Sequence, residues 1–185
     1  TLAGGVYQII SRVIPDWKGS VVLRVINTSN KRSNRTGSRM VTLKCEIAKP
    51  VEEKWQGNTY VIGGMELELY LVFEATSASG KGSAPIKNVF DFHLACKIPI
   101  PDEGFPIEDP NWDPDASVYE GLCFKTLLRS DVQNEQRKNP ETGKYEDILD
   151  IETGEPIEGR LQWKTQLWDV MNRVDPTTLP ELPAF

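Results

Sequence analysis

This chain of 185 residues has little of the side-chain chemistry that catalytic and metal sites use. It contains one histidine, His93, and three widely separated cysteines, Cys45, Cys96 and Cys123, none of which forms a CxxC pair. This pattern disfavours both a zinc site and a disulfide framework. Neither a P-loop, nor a Gly-x-Gly-x-x-Gly motif, nor the Gly-x-Ser-x-Gly signature of hydrolases occurs. The sequence therefore predicts no enzyme, no catalytic residue, no cofactor and no metal.

Long apolar runs are also lacking, because no segment approaches the about 20 apolar residues that a membrane-spanning helix needs. Isolated cysteines are typical of a reducing compartment. We therefore expect no membrane association and a cytoplasmic location, in the host cytoplasm if the chain is viral.

Charge is distributed unevenly along the chain, although the formal net charge is −6. Between Lys18 and Lys49 basic residues greatly outnumber the acid Glu46, whereas acids dominate the segment 102–158. One interpretation is a surface shaped for a polyanion, with the rest of the chain supplying solubility. The alternative is that the basic and acidic segments are solvated loops that attract each other.

Two segments alternate between apolar and polar residues, as half-buried strands do. The apolar members are Val41, Leu43, Cys45 and Ile47 in the first segment, and Leu67, Leu69, Leu71 and Phe73 in the second. Apolar composition predicts further strands over 6–14, 20–26 and 121–129. The polar segment 27–39 is predicted to be a loop or the tip of a long hairpin.

Helical spacing replaces the alternation over 86–98, where we expect one amphipathic helix with Ser83 as N-cap and Pro85 in its first turn. The segment 161–168, which contains Trp163 and Trp168, fits either a strand or a helix. This order predicts a mainly β fold, namely an OB-like five-stranded Greek-key barrel with one helix between strands 3 and 4 and long loops. A β-sandwich is the alternative. Residues 1–174 would form this single domain, and 175–185 a Pro-rich flexible tail.

Flexible cations and exposed aromatic rings are the side chains that bind single-stranded nucleic acid, since cations neutralise phosphates and rings stack on bases. The predicted phosphate-binding residues are Lys31, Arg32, Arg35, Arg39 and Lys44. The predicted stacking residues are Trp55, Tyr70 and Phe124. Among these rings, Tyr70 is expected to face solvent, because it alternates with Leu69 and Leu71.

Several segments together resemble a known family. The polar, Gly-containing stretch 30–40 leads straight into the alternating strand, and Gly121-Leu122-Cys123-Phe124 is followed by a polar excursion with Thr142-Gly143 and then by Gly154-Glu155-Pro156-Ile157. This order resembles the small OB-fold single-stranded DNA-binding proteins of bacteriophages. The resemblance implies binding and protection of single-stranded DNA in replication or recombination. It also implies that the terminal Phe185 helps the tail to dock on replication proteins.

Other functions remain open at this stage. A structural β-sandwich protein of a virion tail or head would also carry exposed charged loops. A β module that binds carbohydrate or protein would use its surface tryptophans. A homo-oligomer is compatible with each of these functions.

Overall fold

The computed structural model describes residues 9–10, 12–33, 36–76 and 84–183, and the predicted site residues Arg35 and Phe185 lie outside them. Within these ranges the chain is mainly β with one α-helix, α1 (Pro85–Cys96). The strands are β1 (Ile9–Ile10), β2 (Lys18–Arg32), β3 (Arg39–Lys49), β4 (Glu52–Trp55), β5 (Asn58–Val61), β6 (Glu66–Val72), β7 (Cys123–Asn134), β8 (Gln136–Lys138), β9 (Tyr145–Asp147), β10 (Glu158–Lys164) and β11 (Val170–Arg173).

The main sheet has a Greek-key strand order. β2 lies at its centre, with β3 and then β6 on one side and β7 and then β10 on the other, and all neighbours are antiparallel. The order β7-β2-β3-β6 is the 4-1-2-3 order of a Greek key. α1 follows β6 and precedes β7, so it connects the third and fourth strands of this sheet. The mainly β class with one helix is thus as predicted, although the main sheet has six strands rather than five, because β11 also pairs with β7.

The sheet is open, which corrects the expectation of a closed barrel. Within the described residues β6 is hydrogen-bonded to β3 alone, and β10 to β7 alone. β11 pairs with the first part of β7, next to β10. Two small sheets accompany the main one: β5 pairs with β4 and β1, and β8 pairs with β9 as a hairpin within the β7–β10 connection.

Alternation along β3 and β6 fills the core from one face of the sheet, as the sequence predicted. Val41, Leu43, Cys45 and Ile47 are fully buried, and Leu67, Leu69, Leu71 and Phe73 lie with them in the same cluster. Burying each such aliphatic side chain contributes about 1.5–3 kcal/mol. On the opposite face, the polar residues of β6 are exposed, whereas Thr42 and Ala48 of β3 are buried.

α1 covers the core beside β6 and β11. Its buried side chains are Val89, Phe92, His93 and Cys96. Pro85 occupies the first turn as expected, whereas Ser83 lies outside the described residues and Ala84 makes no side-chain cap. The helix ends at Cys96, before the predicted Ile98, because Lys97 adopts a left-handed conformation that caps it.

Three further segments differ from the expectation or resolve its ambiguity. β2 continues through the polar residues to Arg32, so the segment 27–39 is the end of a long hairpin, which was one of the two alternatives. Trp163 lies on β10, whereas Trp168 lies in a 3-10 helix, Leu167–Asp169. In the tail, Leu179 packs against a small buried cluster of Val22, Ala48 and Cys123.

His93 ties α1 to the loop that follows it. The imidazole is 2% exposed, with Nε2 2.6 Å from the Tyr119 hydroxyl and Nδ1 3.3 Å from the carbonyl oxygen of Pro99. Burial lowers the pKa of His93 below its ordinary value of 6.5, although backbone hydrogen bonds to Pro99 and Ile98 partly offset this lowering. The unfolded chain therefore binds a proton at a pH where the folded chain does not.

We predict that His93 makes folding stability depend on pH near neutrality. The contribution of neutral His93 to the free energy of unfolding is fully present above about pH 6.5, the pKa in the unfolded chain. It is lost as the pH falls from there toward the lower pKa of the folded chain. Urea denaturation from about pH 8 to about pH 5, above the range in which most carboxyl groups titrate, should show this decline. His93→Gln should flatten the profile, and a flat wild-type profile would contradict the prediction.

Candidate nucleic-acid interface

The solvent-facing side of β2, β3 and β6 is defined by their pairing register. Residues that are directly paired across an antiparallel ladder project from the same face of the sheet. Three successive rows on the outer face are Lys31–Met40–Val72, Ser29–Thr42–Tyr70 and Asn27–Lys44–Glu68. Of the predicted site residues, Lys31, Lys44 and Tyr70 are thus brought together on one surface, the outer face.

Tyr70 presents its ring to solvent from the β6 edge of the outer face, as its alternation with buried leucines predicted. The side chain is 48% exposed, and its hydroxyl donates a hydrogen bond to Glu68 Oε2. That hydrogen bond, together with burial, raises the pKa of Tyr70 to about 12, so the phenol stays neutral. Beside it, Lys44 Nζ lies 3.0 Å from Glu66 Oε2. The ring is therefore a fixed, neutral platform.

Arg39 lies on the opposite face of the hairpin and is only 5% exposed, which corrects its predicted role at a phosphate. Its Nε donates to Glu74 Oε1 at 3.1 Å. Its remaining guanidinium nitrogens donate to the carbonyl oxygens of Ile107, Asp109 and Trp112, and the group stacks 5.6 Å from the Trp112 ring. Arg39 thus fastens the 105–113 connection to the sheet and has no donor left for a ligand.

Arg32 also turns away from the outer face. Its Nη2 lies 2.9 Å from Asp113 Oδ1 and donates to the carbonyl oxygen of Pro110. The basic hairpin and the acidic connection therefore attract each other here, which was the alternative interpretation of the uneven charge. Attraction of this kind also occurs on the outer face, where Lys44 pairs with Glu66.

Two of the predicted stacking residues do not lie on the outer face. Phe124 is completely buried, with its ring 5.3 Å from that of Phe92 in an edge-to-face contact, so the prediction that it stacks on bases is wrong. β7 turns Phe124, Thr126 and Leu128 toward the core. Trp55 is half-buried against the core on β4, in the small sheet and away from the outer face.

A groove that the sequence did not predict lies at one end of the outer face, between two hairpins. One wall is the β2–β3 turn with Met40 and Val72, and the other is the β8–β9 hairpin with Lys138 and Tyr145. This hairpin groove has a volume of about 460 Å³. Lys138 and Tyr145 are directly paired and share a face, and Tyr145 is 66% exposed.

A second cleft of about 780 Å³ opens between the edges of β6 and β10. We call it the seam cleft. Tyr70 and Glu68 line it from β6, while Asp147 and Gln136 line it from the β8–β9 hairpin. The hairpin groove and the seam cleft adjoin, because each is bounded by β6 on one side and by the β8–β9 hairpin on the other.

Charge distinguishes the two clefts. The seam cleft is lined by the carboxylates Glu66, Glu68, Asp131 and Asp147 and by one ammonium group, that of Lys164. Hydrogen bonds from Gln136 and Asn134 lower the pKa of Asp147, which therefore stays ionised. The lining of the hairpin groove within the described residues contains Lys138 and no acid. A polyanion is therefore favoured in the hairpin groove over the seam cleft.

Sequence reasoning missed Lys138 and Tyr145. They flank the turn 139–144, which was recognisable from Asn139-Pro140 and Thr142-Gly143. Residues on either side of such a turn pair in a hairpin, and this rule could have placed Lys138 opposite Tyr145. Which face of this short hairpin meets the sheet depends on tertiary packing.

The comparisons with known proteins found no matching family model, no similar curated protein and no similar solved structure. No helix in the described part of the chain is long and apolar enough to cross a membrane. Among those same residues, no three His, Cys, Asp or Glu side chains gather as a metal ion would require.

We predict that Arg39→Ala lowers the free energy of unfolding by about 3–5 kcal/mol, because it leaves Glu74 and several carbonyl oxygens without their buried cation. Lys31→Ala, an exposed substitution on the other face of the same hairpin, should stay within about 0.5 kcal/mol of the parent. Urea denaturation of both variants measures the difference. Equal stability of the two variants would show that Arg39 is not a structural clamp.

Proposed function

We propose that this chain binds and protects single-stranded DNA, as a phage-type replication or recombination accessory protein without catalytic activity. The strand would run along the outer face past Tyr70 and into the hairpin groove past Tyr145. The observation that carries the proposal is the placement of two exposed tyrosines, Tyr70 on the outer face and Tyr145 in the hairpin groove, with Lys31 and Lys138 on the same two surfaces.

The topology supports an OB-type assignment. OB-folds are five-stranded, partly open Greek-key barrels, which bind oligonucleotides on the face of strands 2 and 3 and with the loops between strands 1 and 2 and between strands 4 and 5. The corresponding parts here are the face of β3 and β6, the β2–β3 turn, and the β7–β10 connection that carries the β8–β9 hairpin. The outer face and the hairpin groove consist of these same parts.

Binding would combine two physical terms. Each base that stacks on a tyrosine contributes roughly 1–3 kcal/mol, whatever its identity, since every base has a flat π-face. Lysines that neutralise phosphates release bound cations from the strand, so affinity falls as salt rises. Such a protein would act in the cytoplasm of the host cell.

Our first prediction from this proposal concerns the tyrosines. Tyr70→Ala and Tyr145→Ala should each weaken binding of oligo(dT) by roughly 1–3 kcal/mol, because each removes one stacking platform. Fluorescence anisotropy of a labelled oligo(dT) measures the affinity.

Trp168→Ala is the matched control, since this ring is 61% exposed and lines neither cleft. Its affinity should equal that of the parent. The proposal fails if the tyrosine variants, shown to be folded by circular dichroism, bind as tightly as the Trp168 variant.

A second prediction separates the two faces of the β2–β3 hairpin. Lys31→Ala should weaken oligo(dT) binding and reduce the slope of log affinity against log salt by about 0.7, the contribution of one phosphate contact on a single strand. Arg32→Ala, one residue further along on the opposite face, should leave that slope unchanged. Titrations at several salt concentrations give both slopes, and equal slopes for the two variants would argue against the outer face as the binding surface.

A further inference from the structure

β6 and β10 are the two open edges of the main sheet, and both border the seam cleft. Each has one hydrogen-bonded neighbour among the described strands. Because every neighbouring pair from β6 to β10 is antiparallel, β6 and β10 both run in the direction of β2 and are parallel to each other. Where β6 begins, Trp163 Nε1 contacts Met65 Sδ at 3.4 Å, so the two edges approach each other at that point.

An open edge carries backbone N–H and C=O groups that another extended chain can pair with. A segment running opposite to β6 would form an antiparallel ladder with that edge. β10 ends at Lys164, level with the start of β6, so the ladder would involve the β6 edge alone. Peptide-binding domains commonly gain affinity from such main-chain hydrogen bonds and specificity from pockets for alternate side chains.

The side chains that flank the seam cleft define which peptide fits. Glu66 and Glu68 project outward from β6, whereas Leu67 projects inward, toward the side of the sheet where Trp163 is also buried. Successive side chains of an extended peptide also alternate between the two faces. Outward positions would therefore meet carboxylates, and inward positions would meet apolar groups.

We propose that the seam cleft binds an extended peptide segment of a partner protein, with basic and apolar residues in alternation, which adds as a strand to the β6 edge. Glu66 is paired with Lys44 and Asp131 with Lys164, so Glu68 and Asp147 give the cleft its negative charge, which disfavours a nucleic acid there. A second copy of this chain fits poorly, because pairing β6 with its counterpart would place Glu66 and Glu68 among like charges. This proposal does not depend on the binding of DNA.

The test uses the full chain and a labelled synthetic peptide of alternating lysine and valine, with fluorescence anisotropy as the readout. We expect saturable binding of this peptide and none of its glutamate–valine counterpart. The same lysine–valine peptide with N-methyl groups on alternate backbone nitrogens keeps its charge but loses its ladder donors, so it should bind at least roughly tenfold more weakly. Equal binding of the methylated peptide would mean charge attraction alone and would overturn the proposal.

Glu68→Lys should weaken binding of the lysine–valine peptide by roughly tenfold, because it reverses a charge at the cleft. The matched control is Glu103→Lys. Glu103 is an exposed acid in the connection after α1 and lines neither cleft, so this variant should leave peptide affinity unchanged. Equal affinity of these two variants would place the peptide elsewhere and refute the site. Lys31→Ala should not change peptide affinity. Failure of the peptide proposal is therefore read from Glu68→Lys, and failure of DNA binding from Lys31→Ala.

Discussion

Pairing between β2, β3 and β6 fixes both the core and the candidate binding surface, because side chains directly opposite each other in a ladder must share a face. The register that buries Leu43 beside Leu69 also sets Lys44 beside Glu68 in solvent. A slip of one residue would exchange the two faces and place Lys44 in the interior, where an unpaired charge is costly. The hydrophobic core thereby holds Tyr70 and its neighbouring lysines in position.

Much of this arrangement could be predicted from the sequence, because it depends on local period. Strict alternation in 41–47 and 67–73 indicated two half-buried strands, and the same alternation placed Tyr70 in solvent. The change to helical spacing after Pro85 identified α1. The order of strands and helix along the chain was within reach for the same reason, whereas their Greek-key pairing depends on contacts between distant segments.

Other features depend on contacts between distant segments, which no local pattern encodes. Arg39 resembles its neighbouring cations in sequence, yet its partners Glu74, Ile107 and Trp112 lie far along the chain and turn it into a buried clamp. Phe124 belongs to a strand paired on both sides, where an apolar run does not say which rings face outward. The position of Tyr145 depends on how a short polar hairpin packs back toward the sheet.

The open sheet gives two adjoining clefts opposite preferences. If β6 and β10 were paired directly, the backbone hydrogen-bonding groups of both edges would be satisfied. The seam cleft would then be absent and only the hairpin groove would remain. Because the two edges are not paired, the carboxylates of Glu66, Glu68 and Asp131 line a recess of their own, next to the lysines of the outer face. A polyanion is repelled from this recess and finds in the hairpin groove a lining with Lys138 and no acid among the described residues, and a basic peptide has the reverse preference. Electrostatics thus assigns each kind of ligand to its own cleft.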